Sequence, residues 1–186
     1  MFTLGQKIKK HEGFTIVELL IVIVVIAILA AMTIVSYNGI QTRAENTKTV
    51  QAVGQWAKLI ASYAATYGNY PVEAGYPCLS ESGTSCGRVS GSTMCFGIGG
   101  TNSNTSYITE ISKIATKVPV PSSQRIGCNG SEYSGIFTNP STGKTATMTY
   151  FLKGDQLCDS IGGLTSFAKV QQEGLTRCSA NLPTLP

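Results

Sequence analysis

Hydrophobic and polar positions divide the chain into three stretches. Leu19 to Met32 is an unbroken run of fourteen apolar residues. Extended to Ile16 and Val35 it reaches twenty residues, interrupted by Glu18 and Thr33. About 20 apolar residues span a bilayer as a helix, and in lipid the backbone must satisfy its own hydrogen bonds. The run therefore predicts a membrane helix carried by Ile16, Leu19, Leu20, Ile21, Val22, Ile23, Val24, Val25, Ile26, Ala27, Ile28, Leu29, Ala30, Ala31 and Met32. A buried core helix is the competing reading, but a domain of this size rarely needs so uniformly apolar a rod. Beyond Val35 the pattern turns amphipathic. Ile40, Ala44, Thr47, Val50, Val53, Ala57, Ile60, Ala64 and Tyr67 recur at intervals of three and four, a stripe that faces a core. Gln41, Arg43, Glu45, Lys48, Gln55 and Lys58 fall largely off it. No proline interrupts Phe14 to Tyr70, and Gly68-Asn69-Tyr70-Pro71 supplies the stop. One helix of roughly 54 residues would be about 80 Å long at 1.5 Å per residue. Gly39 and Gly54 are its weak points, each costing about 1 kcal/mol relative to Ala, and Gly39 is the candidate for a flexible point.

From Pro71 to Pro186 the apolar segments are short and Gly, Ser, Thr and Asn dominate. Gly83 to Ser85, Gly99 to Ser106 and Asn139 to Gly143 carry turn or loop signals. Ser106 to Thr116 spaces Ile108, Ile111, Ile114 and Ala115 as a short amphipathic helix. Thr145 to Leu152 alternates in its first half and is rich in β formers, so it reads as a strand. Met94 to Ile98, Tyr133 to Phe137 and Leu175 to Ser179 are weaker strand candidates. The sum is an α+β fold: a small antiparallel sheet laid on the second half of a long N-terminal helix.

Charge adds direction. Charged residues make up 13% of the 186-residue chain, against about 25% in an average protein, which argues against disorder. Lys7, Lys9 and Lys10 stand before the apolar run, and the first charge beyond Met32 is Arg43. Lysines on the N-terminal side keep that side cytoplasmic, so the chain from about Tyr37 onward is expected to be translocated. The net charge of +4 is too small and dispersed to suggest direct nucleic-acid binding. All six cysteines, Cys78, Cys86, Cys95, Cys128, Cys158 and Cys178, lie on the translocated side, which implies disulfides. Six cysteines allow about fifteen pairings, so spacing leaves connectivity open. There is no CxxC, and the irregular spacings do not suit a metal site.

The sharpest signal precedes the run: Lys9-Lys10-His11-Glu12-Gly13, then Phe14-Thr15-Ile16-Val17-Glu18-Leu19-Leu20. Glu18 is a carboxylate one turn into a membrane helix, which is costly and usually functional. The arrangement resembles the class III signal of type IV prepilins: a short basic leader ending in Gly, then Phe, then a Glu five residues into the mature chain, then a long apolar helix. The resemblance covers Gly13 to about Pro71 closely and the rest in general layout. It implies that a membrane prepilin peptidase and N-methyltransferase cuts between Gly13 and Phe14 and methylates Phe14. The new ammonium at Phe14 and the Glu18 carboxylate would lie four residues apart on one helix face, pairing within a subunit or with a neighbour to fix register. An ordinary secretory signal cut after Ala31 fits less well, because the helical pattern continues past it.

The resemblance further implies a cleaved cytoplasmic leader (1–13), a transmembrane and filament-core helix (14–36), its amphipathic continuation (37–70) and a globular domain (71–186). It implies an extracellular type IV pilus subunit held first in the cell membrane, with itself, the membrane, the peptidase, and the pilus assembly platform and motor as partners. A minor pilin or a type II secretion pseudopilin is the alternative, and a membrane-tethered surface enzyme or binding protein a more distant one. Loss of residues 1 to 13 removes three lysines, one glutamate and the single histidine, His11, leaving a charge of +2. No histidine-dependent catalytic site would then remain, and no enzyme activity, cofactor or metal is expected. Many pilins carry a proline mid-helix where this chain has Val35. Cys158 with Cys178 is the preferred pairing, because it encloses Gly162-Gly163 as the disulfide-bound loop does in many pilins; for the others, Cys78–Cys86 with Cys95–Cys128 is the working assignment. Asn104-Thr105-Ser106 and Asn129-Gly130-Ser131 match a short glycosylation sequon. Asp155 and Asp159 flank Cys158 and are read as turn caps rather than calcium ligands. Tyr63, Tyr67, Tyr70 and Tyr76 are read as packing around the helix exit.

Overall fold

The computed structural model describes residues 13–73, 75–81, 86–88, 104–128, 130–140 and 143–186. The chain divides into two compact units, residues 1–41 and 42–186. Within it α1 runs from Ile16 to Tyr67, 52 residues without interruption at Gly39 or Gly54. The helix ends where expected. Gly68 adopts φ +73°, and its N–H donates to the Ala64 carbonyl at 2.8 Å. That left-handed residue closes the last turn at no Cβ penalty.

In the second unit, the rest of the order is β1 (Gly87–Arg88), α2 (Thr105–Ser112), β2 (Ile126–Cys128), β3 (Ser131–Tyr133), β4 (Ile136–Pro140), β5 (Ala146–Lys153), β6 (Thr165–Gln172) and β7 (Leu175–Asn181). The larger sheet has the order β4-β5-β7-β6, and the smaller one β1-β3-β2; every pairing is antiparallel. This is the α+β arrangement expected: a long apolar N-terminal helix and a small antiparallel-sheet domain with disulfides.

β5 explains the architecture. Ala146, Met148, Tyr150 and Leu152 join a core containing Val53, Trp56, Ala57, Ile60 and Ala64 of α1. Phe151 joins a second cluster with Cys78, Cys86, Cys128, Tyr133, Phe137 and Leu175. The strand alternates at first and then buries both faces, because its second half runs between two cores. Trp56 is fully buried, and its Nε1–H donates to the Pro119 carbonyl at 2.9 Å. Asn46 grips the end of β5: its Nδ2 donates to the Lys153 carbonyl at 3.0 Å, and the Lys153 N–H donates to its Oδ1 at 2.9 Å. Gly54 lets the loop after β5 close on α1, since a Cβ there would stand 3.3 Å from Ile161 Cγ2.

Several expectations need correction. Tyr133 to Phe137 is not one strand: β3 ends at Tyr133, and the chain turns through Gly135. Gly135 has φ +68°, and a Cβ there would lie 3.1 Å from Cys86 Sγ, so backbone hand and space both demand glycine. The loop expected from Gly99 to Ser106 already enters α2 at Thr105, and Asn139 and Pro140 belong to β4. The expected Gly83 to Ser85 turn and the Met94 to Ile98 strand lie outside the described residues. On α1, Ile40, Ala44, Thr47 and Tyr67 are exposed, while Asn46, Thr49, Trp56 and Tyr63 are buried. The expected stripe holds at Val53, Ala57, Ile60 and Ala64, which are buried, and fails towards its ends, because a helix of 3.6 residues per turn drifts under a three-and-four spacing.

Candidate functional site at the head of the long helix

Gly13, Phe14 and Thr15 precede α1 and are not helical. Thr15 is the N-cap and Glu18 the third helical residue. The Thr15 N–H and hydroxyl both donate to Glu18 Oε2, at 2.8 and 2.7 Å. In return the Glu18 N–H donates to Thr15 Oγ1 at 3.2 Å. This is a reciprocal capping box, which satisfies two of the amide donors that a helix start leaves without partners. The first ladder bond, from the Leu19 N–H to the Thr15 carbonyl at 3.3 Å, excludes Phe14 from the regular helix. In the uncleaved chain Phe14 and Glu18 are therefore not an i, i+4 pair on one helix face, because the Thr15 cap sets the helix start. The T-x-x-E spelling of Thr15 to Glu18 is a legible capping signal that the sequence reading passed over in favour of the charge.

The cap leaves chemical capacity. Oε2 accepts from Thr15; among the described residues Oε1 has no hydrogen-bond partner. A cation could be held there without breaking the cap. Behind this carboxylate the helix is apolar on every side. Its most apolar 18-residue window has a mean hydropathy of 3.1 and no buried residue. Phe14 is 82% exposed, and Ile16, Leu19, Leu20, Ile21, Val22, Ile23, Val24, Val25, Ile26, Ile28, Leu29 and Met32 are all exposed as well. Ala27, Ala30 and Ala31 are exposed between them. Lys7, Lys9 and Lys10 lie outside the described residues.

The remaining candidate residues lie in the second unit. Disulfides join Cys78 to Cys86, with Cα atoms 5.4 Å apart, and Cys158 to Cys178, 5.5 Å apart. The assignment of Cys95 to Cys128 falls on Cys95, which lies outside the described residues. Asp155 pairs with Lys169. Burial, with the charge of Asp159 second, pushes the Tyr150 hydroxyl up to about 12. Asn104 is fully buried; its Nδ2 donates to the carbonyls of Cys78, Ser80 and Glu81 at 2.7, 3.2 and 2.9 Å. That side chain is spent inside the fold, which closes the first sequon reading; Asn129 of the second lies outside the described residues. Tyr70 is buried with its hydroxyl on the Pro183 carbonyl at 2.7 Å. Tyr76 meets Phe137 edge to face at 6.0 Å.

Tyr63 and Tyr67 stack with ring centroids 4.5 Å apart. The Tyr63 hydroxyl donates to Glu110 Oε2 at 2.5 Å, and Lys113 Nζ bonds both Glu110 oxygens at 2.7 Å. Lys113, then Tyr63, holds the Glu110 carboxyl below its ordinary value. Burial first, and Glu110 second, pushes the Tyr63 hydroxyl up to about 12.

A family model described as the prokaryotic N-terminal methylation motif matches residues 8–34. No curated protein and no solved structure matches the chain. The match frames the features just described: Gly13 before Phe14, the capped carboxylate, and the apolar run from Leu19 to Met32. The chain thus carries the class III signal of a type IV pilin-like prepilin.

Proposed function

We propose that this protein is a structural subunit of an extracellular type IV pilus. The observation that carries the reading is one carboxylate, Glu18, at the head of the exposed, unbroken apolar run from Leu19 to Met32, inside a methylation motif. Before assembly α1 anchors the chain in the cell membrane with its N-terminus cytoplasmic. The peptidase cuts between Gly13 and Phe14 and methylates Phe14, the assembly platform and motor extract the subunit, and α1 enters a helical bundle of identical chains.

Physical chemistry gives Glu18 the deciding part. Lipid tails are as apolar as the helix, so moving from bilayer to bundle releases little hydrophobic free energy. Packing and polar pairing must choose the register. A carboxylate and an ammonium attract far more strongly in such surroundings than in water. In this reading the Phe14 ammonium pairs with the free Oε1 of Glu18, within the subunit once processing has remade the helix start or across to an incoming one, while the Thr15 cap keeps the helix end closed.

Two substitutions test this. Glu18→Gln keeps a capping-box side chain but removes the charge, whereas Glu18→Ala removes both. Both variants are expected to accumulate in the membrane and to form no surface filaments. Filaments of ordinary abundance from Glu18→Gln would overturn charge pairing as the assembly step. Mass spectrometry of the processed N-terminus is expected to give a chain that starts at Phe14 with one added methyl group. A start after Ala31 would overturn the processing scheme.

A further inference from the structure

The bond that processing must break, between Gly13 and Phe14, lies just ahead of the start of α1 at Ile16. Gly13, Phe14 and Thr15 are all exposed, and none is helical. A Cβ built on Gly13 would meet nothing within 4 Å, so the space beside the peptide is open. The helical ladder begins beyond Phe14, with the Leu19 N–H on the Thr15 carbonyl at 3.3 Å. Among the described residues no donor engages the Gly13 carbonyl, the group that water must attack.

Thr15 sets that boundary. Its hydroxyl donates to Glu18 Oε2 at 2.7 Å and accepts the Glu18 N–H at 3.2 Å. From Gln6 to Phe14 the sequence has no Ser, Thr, Asp or Asn, and Gly13 is the one residue there that an N-cap favours. A helix without the Thr15 hydroxyl would therefore find its next start at Gly13. The N-cap carbonyl accepts the first ladder bond, so the Gly13 carbonyl would take the Val17 N–H and Phe14 would become the first helical residue. The bond to be cut would then begin at a carbonyl already spent in the helix. An extended peptide can hydrogen-bond along a groove as an added strand; a helical turn has used those groups on itself.

We propose that Thr15 is the positioning residue for processing: its capping box ends the helix short of Phe14 and so keeps the Gly13–Phe14 bond extended and open to the peptidase. This role rests on the prepilin reading above. The methylation motif matched over residues 8–34 spans the same stretch, so the enzyme that acts here meets the chain at its cap. In the cut, water adds across the peptide bond; Gly13 leaves as a carboxylate and Phe14 keeps the nitrogen as an ammonium. Glu18 then has two separable parts. Before the cut its side chain serves the cap, which needs an acceptor and no charge, and after the cut its charge serves assembly.

The test follows cutting of the full precursor in detergent micelles by purified prepilin peptidase, with mass spectrometry to identify the bond and the Phe14 Cα NMR shift to report helix at the cut. Thr15→Val keeps the shape of the side chain and loses the hydroxyl. It is expected to be cut about fivefold less efficiently, the effect of one lost N-cap. The loss should fall on KM with kcat unmoved, because only the open fraction binds, and the Phe14 shift should move to a helical value. Thr15→Ser and Thr15→Asn, both strong N-caps, should restore native cutting, although Asn shares with Thr only the ability to cap. Glu18→Gln keeps the capping box and should be cut at the native rate. Native cutting of Thr15→Val overturns the proposal. So does slow cutting of Thr15→Val with Phe14 still non-helical, failure of Thr15→Asn to restore the rate, or slow cutting of Glu18→Gln. A native chain that is not cut between Gly13 and Phe14 overturns the prepilin reading itself, and this role with it.

Discussion

The two halves of α1 are opposite answers to the same helical geometry. From Ile16 to Ile34, and again at Tyr37 and Ile40, the large apolar side chains are exposed all round. From Asn46 to Ala64 one stripe is buried, and it includes Asn46 and Thr49 beside Val53, Trp56 and Ile60. The more apolar half is the one with no core, and the more polar half builds one. Apolar content alone does not say where a core is. A stripe closed by a sheet can admit an amide, because Asn46 finds two backbone partners on Lys153. A helix segment with no core to close on is apolar round its whole circumference from Leu19 to Met32, with the polarity at its head held in the cap at Thr15 and Glu18.

The largest break in this contrast should come from the buried half. Trp56→Ala removes a fully buried indole and its bond to Pro119, at a cost of about 3–5 kcal/mol. The head domain is expected to lose its cooperative melt and become protease-sensitive while the protein remains in the membrane fraction. Ile26→Lys places a charge mid-rod, at about 2.5–3.5 kcal/mol on an insertion scale. It should have the mirror effect: loss from the membrane fraction with the head still resistant to protease. If both variants gave the same phenotype, the division of labour along α1 would fail.

A smaller change sharpens the comparison. Asn46→Ala strands the Lys153 N–H and carbonyl at the end of β5. The expected loss is about 1–3 kcal/mol, read as a lower melting temperature, with amide exchange at Lys153 rising first. Thr47, one residue on and exposed, should tolerate Thr47→Ala with a change of about 0.5 kcal/mol or less.

How legible this was from sequence varied with the type of force involved. The apolar rod and the stop at Gly68 were plain, because both rest on local rules. β5 was found from its opening alternation, and Val53, Ala57, Ile60 and Ala64 of the buried stripe from periodicity. Trp56 was missed because the stripe was anchored on Ile40, which has no core to face; Tyr63 was read as packing at the helix exit, and it is buried there. β6 was missed because it is an edge strand whose residues are mostly exposed, so no alternation marks it. Its Lys169 is held by Asp155, a partner that only the fold brings near. At the head of α1, Glu18 was legible as a costly charge. Its engagement by Thr15 was missed although the T-x-x-E spacing was in view. The pairings that bind α1 to α2 through Glu110 join residues 47 apart, and no periodic rule reaches that far.

The smallest expected effect lies at that junction and is a dependence on pH. Burial and Glu110 raise the Tyr63 hydroxyl to about 12 in the folded chain, above its ordinary value near 10. The folded state therefore holds this proton more tightly than the unfolded one. The stabilisation is complete below pH 10 and disappears as pH rises from 10 to 12, where the unfolded chain gives up the proton first. Tyr150 is raised for the same chief reason and contributes in the same direction, so the native domain should lose stability steadily across that window. Tyr63→Phe keeps the ring against Tyr67 and removes the titrating group. Its melting temperature should fall less steeply than the native one between pH 10 and 12, and the two curves should run parallel between pH 7 and 9. Equal slopes above pH 10 would show that the Tyr63 hydroxyl is not held by Glu110 in the folded domain, and the contrast between the halves would then rest on Trp56 and Asn46 alone.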